Sequence, residues 1–163
     1  MLLTMSLQHL WQMSYDSKTI DILRNSKHAI PIIQSFHLFG ITLLLASMVI
    51  LNFRMLGIGF CEIPLDVLAK PVWKWATGGL LLAAATGFFV FLPDPARYAA
   101  NRSFVTKMSV LSVAVVFQYT IYRAVLRSEA SLTAPHRRVF VPFVSLCLWF
   151  TVAWAGRAIA FLG

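Results

Sequence analysis

The stretch IPIIQSFHLFGITLLLASMVIL, residues 30–51, decides the fold. It carries no charged side chain, and about 20 apolar residues in a helix suffice to cross the hydrocarbon of a bilayer. A first span is therefore expected over 32–51. Pro31 suits its opening turn, where a proline loses no helical hydrogen bond, and Asn52 and Arg54 mark its exit. Three further stretches read the same way. One covers 72–92, opened by Pro71 and stopped by Pro93, Asp94 and Pro95. The next covers 104–122 and ends in Arg123, and the last covers 140–161, with Pro142 in its first turn. The connections, 52–70, 93–103 and 124–138, are polar and too short for another domain.

Residues 1–27 come before the first span. Leu3, Leu7, Leu10 and Trp11 recur at helical spacing with Gln8, Gln12 and Ser14 between them, the pattern of a short helix lying in the membrane interface. Asp16 is placed to open a second short helix through Ile20, Leu23 and Arg24. The opening MLLTMSLQHLWQM has no basic start, long apolar run or small-residue cleavage site, so no signal peptide is expected. The expected fold is all-α: a single domain over 1–163, an integral membrane four-helix up-and-down bundle with an N-terminal interfacial segment.

Composition agrees. Of 163 residues, 59% are hydrophobic and 12% charged, where soluble domains carry about 25% charged residues. The net charge of +8 does not point to nucleic acid. Its basic residues stand in ones and twos at span ends, where they anchor helices to headgroups, and no basic stripe with interleaved aromatics appears. Those basic residues divide evenly between the two ends of the bundle, so charge fixes orientation poorly. The densest short loop, Arg123 to Arg138, favours a cytoplasmic side, with both termini outside. Cys61 and Cys147 have no metal-ligand spacing and read as ordinary thiols.

Polar residues inside spans are expensive and therefore informative. Gln34, His37, Gly40, Leu44, Ser47, Leu51 and Arg54 fall three and four apart, on one face of the first helix. In an up-and-down bundle the leaflet of the termini then collects Gln34 and His37, Thr86 and Gly87, Lys107 and Met108, and Arg157, with Arg97, Tyr98 and Arg102 just above. Each member has a plainer reading: His37 as a helix-to-helix hydrogen bond, Lys107 and Arg157 as snorkelling anchors, Met108 as packing. Gly79, Ala83 and Gly87, like Ala153, Gly156 and Ala160, form small-residue rows suited to close helix approach; the alternative is a groove kept open for a flat cofactor. No carboxylate lies within a span, which argues against an Asp or Glu proton relay. No phosphate loop, zinc spacing or nucleophile elbow gives hydrolytic or transferase chemistry a foothold.

The run from Arg24 to Gly57, with His37 and Gly40 followed by Arg54, Met55, Leu56 and Gly57, resembles a family of bacterial four-span membrane proteins of unknown function. The resemblance continues through Thr86 and Gly87, Tyr98, Phe104 and Lys107, and Ala155, Gly156 and Arg157. It implies a four-helix bacterial membrane fold. Asn52 stands where that family often carries Asp, which counts against a role for a carboxylate there. A looser similarity, resting on His37 and Gly40, is to four-helix membrane cytochromes b. It implies a haem b with His37 as metal ligand and Met108 as a possible second ligand.

The sequence thus leads to a small subunit of the bacterial inner membrane. Its polar pocket, built from His37, Gly40, Gly87, Lys107, Met108 and Arg157, would hold haem b or a quinone for electron transfer. The competing expectations are a non-redox accessory or scaffold subunit that binds a partner membrane protein or lipid, and a small-solute channel or transporter formed by a homo-oligomer.

Overall fold

The structure, a computed structural model, describes residues 26, 28–95, 98, 101–127 and 135–162, with backbone only at 127, 135–137 and 157–162. The expected interfacial segment over 1–27 therefore lies outside the described residues, apart from Ser26.

Four helices are long and apolar enough to cross a membrane. Helix α1 is Ala29–Leu56 and α2 is Leu65–Phe91. The third span is one continuous helix in three parts: α3 (Arg102–Phe117), a π-helical turn (Gln118–Tyr122) and α4 (Arg123–Arg127). Helix α5 is Pro135–Leu162. All four spans are longer than expected. Pro71 does not open α2, and Pro142 lies beyond the first turn of α5; both sit inside their helices. Neighbouring helices and local adjustment make such prolines tolerable in membrane helices.

The ends follow local chemistry. Asn101 caps α3, its side-chain oxygen accepting from the backbone N–H groups of Ser103 and Phe104 at 2.8 and 3.3 Å. Helix α1 stops at Gly57, whose φ of 73° is left-handed. The N–H of Ile58 then bonds the Phe53 carbonyl at 3.0 Å, which closes the last turn. Arg138 on α5 donates through Nε to the freed Met55 carbonyl at 3.0 Å, and Arg54 donates to the Ile63 carbonyl at 2.7 Å. The Arg-Met-Leu-Gly exit is thus a helix stop fastened to the fourth span.

Contacts establish the topology. His37 meets Thr86 while Leu44 meets Gly79, so α1 and α2 run antiparallel. Phe91 stacks on Phe104 while Trp73 stacks on Tyr122, so the second and third spans do too. Lys107 lies on Gly156 and Gln118 bonds Ser145, and Asn52 bonds Ser145 where Met55 takes Arg138. Every neighbouring pair is antiparallel, which makes an up-and-down bundle. Its outside is apolar: Trp154 is 80% exposed, Phe140 66% and Leu81 65%. A surface with so many uncovered large side chains matches lipid, not water.

The tightest contact joins α1 and α2. A Cβ on Gly40 would stand 2.8 Å from the Ala83 nitrogen and 2.9 Å from the Gly79 carbonyl oxygen. One on Gly79 would stand 2.8 Å from both the Gly40 oxygen and the Leu44 nitrogen. Backbone touches backbone here, and only glycine permits it. Gly78, one residue away, faces open space. Gly79→Ala is therefore expected to destabilise the bundle in detergent by ~1–3 kcal/mol. Gly78→Ala should be neutral or raise stability by up to about 1 kcal/mol through helix propensity. Thermal melts of the two variants check this, and equal effects would place the crossing elsewhere.

Candidate functional site

His37 lies eight residues into α1, three before the Gly40 crossing, so its imidazole reaches α2 directly. Nδ1 stands 2.8 Å from the Ala83 carbonyl oxygen and 3.1 Å from the Thr86 hydroxyl oxygen. A carbonyl can only accept, so Nδ1 is the donor and carries the proton. Thr86 accepts a share of it, because its own hydroxyl donates to the Leu82 carbonyl at 2.6 Å. In the neutral ring this fixes the tautomer and leaves a lone pair at Nε2. Gly87 makes room for the ring: a Cβ there would lie 2.9 Å from His37 Cε1.

The expected layer in this leaflet forms only in part. From the third span, half-buried Lys107 reaches α5, its Cε and Nζ each 3.5 Å from where a Gly156 Cβ would be. Tyr98 joins Phe91 and Phe104 in a cluster of three rings between the second and third spans, with centroids 5.5–6.1 Å apart. Gln34 and Met108 do not belong to the layer. Gln34 is exposed, and Met108 is 44% exposed. Of these two neighbours on one helix, Lys107 is half-buried and Met108 is exposed. Gly40 and Gly87, expected to line a cofactor groove, spend their free space on the α2 backbone and the His37 ring. The backbone of Arg157 follows Gly156 on α5, and its side chain lies outside the description.

A second polar group escaped the sequence reading. Asn52, expected to mark the exit of the first span, is wholly buried, together with Ser145, Gln118 and Tyr122. Asn52 Nδ2 donates to the Ser145 hydroxyl at 3.2 Å, and Ser145 donates to Gln118 Oε1 at 3.3 Å. The same oxygen accepts from Trp149 Nε1 at 3.3 Å. Nearby, Trp73 stacks on Tyr122 and carries Arg123 over its ring, 5.7 Å from the centroid. Fifteen positions of a helix rising 1.5 Å each separate Asn52 from His37, about 22 Å, so this group belongs to the other half of the bundle. The sequence signal was available: two neutral amides, Asn52 and Gln118, border or interrupt long apolar runs. Attention to carboxylates and histidines passed over them.

Among the described residues no three His, Cys, Asp or Glu side chains gather as a metal site. What the geometry defines is a four-helix protein of membrane-spanning dimensions with an oriented imidazole in one half and a buried amide cluster in the other. The chain belongs to a family of unknown function, DUF6644, matched over residues 26–162. No curated protein and no solved structure matches it.

Because Gly87 is the seat of the ring, Gly87→Ala should push His37 off Ala83 and Thr86. Overpacking of this kind typically costs ~1–3 kcal/mol. Met108→Leu, on the exposed face, should stay within about 0.5 kcal/mol of the parent. Melting both variants in detergent checks the contrast, and an innocuous Gly87→Ala would mean that the ring does not rest there.

Proposed function

We propose that the chain is a small electron-transfer subunit of the bacterial inner membrane, crossing it four times, with a redox cofactor held through His37 in the leaflet of its termini. One observation carries this reading: the bond from Nδ1 to the Ala83 carbonyl leaves the Nε2 lone pair as the reactive edge of an oriented imidazole. Metal-binding histidines are commonly prepared in this way, the other ring nitrogen donating to a carbonyl. Lys107 adds a cation in the same layer, suited to a propionate or to the oxygen of a reduced quinone.

Haem b fits the donor set better than a quinone, because a fixed Nε2 lone pair is an axial ligand, and bound haem would supply one-electron transfer. With Met108 exposed, His37 is the residue of this layer that would hold the iron. His37 would ligate the iron, Ala83 and Thr86 would hold the ring in place, and Lys107 would balance negative charge.

Protein purified from haem-replete cells should show a Soret band. His37→Ala should abolish it, and Lys107→Ala should leave a weaker, more easily lost band. If the protein is colourless but solvent extraction recovers quinone that His37→Ala fails to retain, the pocket serves a quinone. Colourless protein without quinone contradicts the redox reading and favours an accessory subunit bound to a partner protein or lipid.

A further inference from the structure

The buried amide cluster has hydrogen-bonding capacity that its own members leave unused. Trp149 Nε1 can only donate, so the Gln118 atom facing it must be the oxygen, and Gln118 Nε2 must point the other way. Ser145 donates to that same oxygen, so it accepts from Asn52, which makes the bonded Asn52 atom its nitrogen and leaves Oδ1 free. One indole N–H therefore orients both amides. The result is three buried atoms with no partner among the described residues: Asn52 Oδ1, Gln118 Nε2 and the Tyr122 hydroxyl. Asn52 and Tyr122 are 0% exposed and Gln118 is 2% exposed, so lipid headgroups and bulk water do not serve them.

Two of these groups are turned inward by one segment of the third span. Ala114, Gln118, Tyr122 and Val125 are the buried residues of this part of the third span. Steps of four drift around a helix of 3.6 residues per turn. The π-helical turn over Gln118–Tyr122 widens the helix there and keeps Gln118 and Tyr122 both inward. Such turns are frequent at functional sites.

The three atoms define what can join them. A cation is repelled by the Gln118 N–H groups, and an anion by Asn52 Oδ1. A guest that donates to Asn52, accepts from Gln118 and exchanges either role with Tyr122 must be neutral and both donor and acceptor. We propose that this cluster is a binding site for a single water molecule, held by Asn52 Oδ1, Gln118 Nε2 and the Tyr122 hydroxyl. Three hydrogen bonds are typical of a buried water. The site joins the first and third spans through a guest, and Ser145 and Trp149 bring in the fourth. It is independent of His37 and of any cofactor bound there.

The test uses the full chain in bilayers of deuterated lipid, with the Gln118 side-chain amide isotopically labelled. Magnetisation from water should build up at that amide well before it reaches the buried backbone amide of Ala114. Build-up no faster than at Ala114 overturns the proposal. A second readout compares Asn52→Val, Tyr122→Phe and their combination in thermal melts. Asn52 and Tyr122 share no direct hydrogen bond, so a shared guest makes the loss in the double variant clearly smaller than the sum of the single losses. Simple addition of the losses overturns the proposal as well.

Discussion

The backbone contact between α1 and α2 is the constraint on which the rest of the bundle depends. Among apolar helices in an apolar solvent, no hydrophobic effect favours association, and packing must supply the attraction. Gly40 and Gly79 bring the two backbones within van der Waals distance, so dispersion is gained along the whole crossing. That same approach sets how far His37 must reach. At an ordinary helix separation the imidazole would fall short of the Ala83 carbonyl. The polar layer is thus a consequence of two missing side chains.

The bundle also separates its polar investments. In the half nearer the termini, a charged lysine and an oriented imidazole lie among small residues. In the other half, neutral amides, a serine and an indole N–H bond one another beside the π-helical turn. Left unmade, a buried polar contact in hydrocarbon costs several kcal/mol, so each group constrains the helices that carry it. Together they fix the rotation of α1, α3 and α5 about their axes, which apolar packing alone leaves loose. The fastening of Arg138 to the end of α1 adds a third tie at the loop edge.

Much of this was legible in the sequence. Four long apolar runs gave the number of spans, and the row of Gly79, Ala83 and Gly87 gave the close-packed face of α2. His37 does rest against Gly87, and Lys107 against Gly156. The boundaries were less legible, because prolines were read as helix starts when both Pro71 and Pro142 lie within their helices. Met108 and Gln34 stand on exposed faces, so depth in the bundle alone does not bring them into the layer. Asn52 was read as an exit because it follows an apolar run, yet its phase with Leu44, Met48 and Met55 puts it on the buried stripe. The π-helical turn has no signature in composition or spacing. It became visible only where Gln118 and Tyr122 had to meet partners from two other helices.

Family membership adds no activity to this picture, so the functional reading stands on the chemistry of His37. That reading requires that Nδ1 bears the imidazole proton and that Nε2 keeps a lone pair. Nitrogen NMR of the labelled His37 ring, recorded in bilayers above the range in which the imidazole takes up a second proton, tests this most directly. The account predicts a single neutral tautomer, protonated at Nδ1 and hydrogen-bonded to a carbonyl, which loses its uniqueness in Gly40→Ala. A ring protonated at Nε2, or a mixture of tautomers in the parent protein, would contradict it.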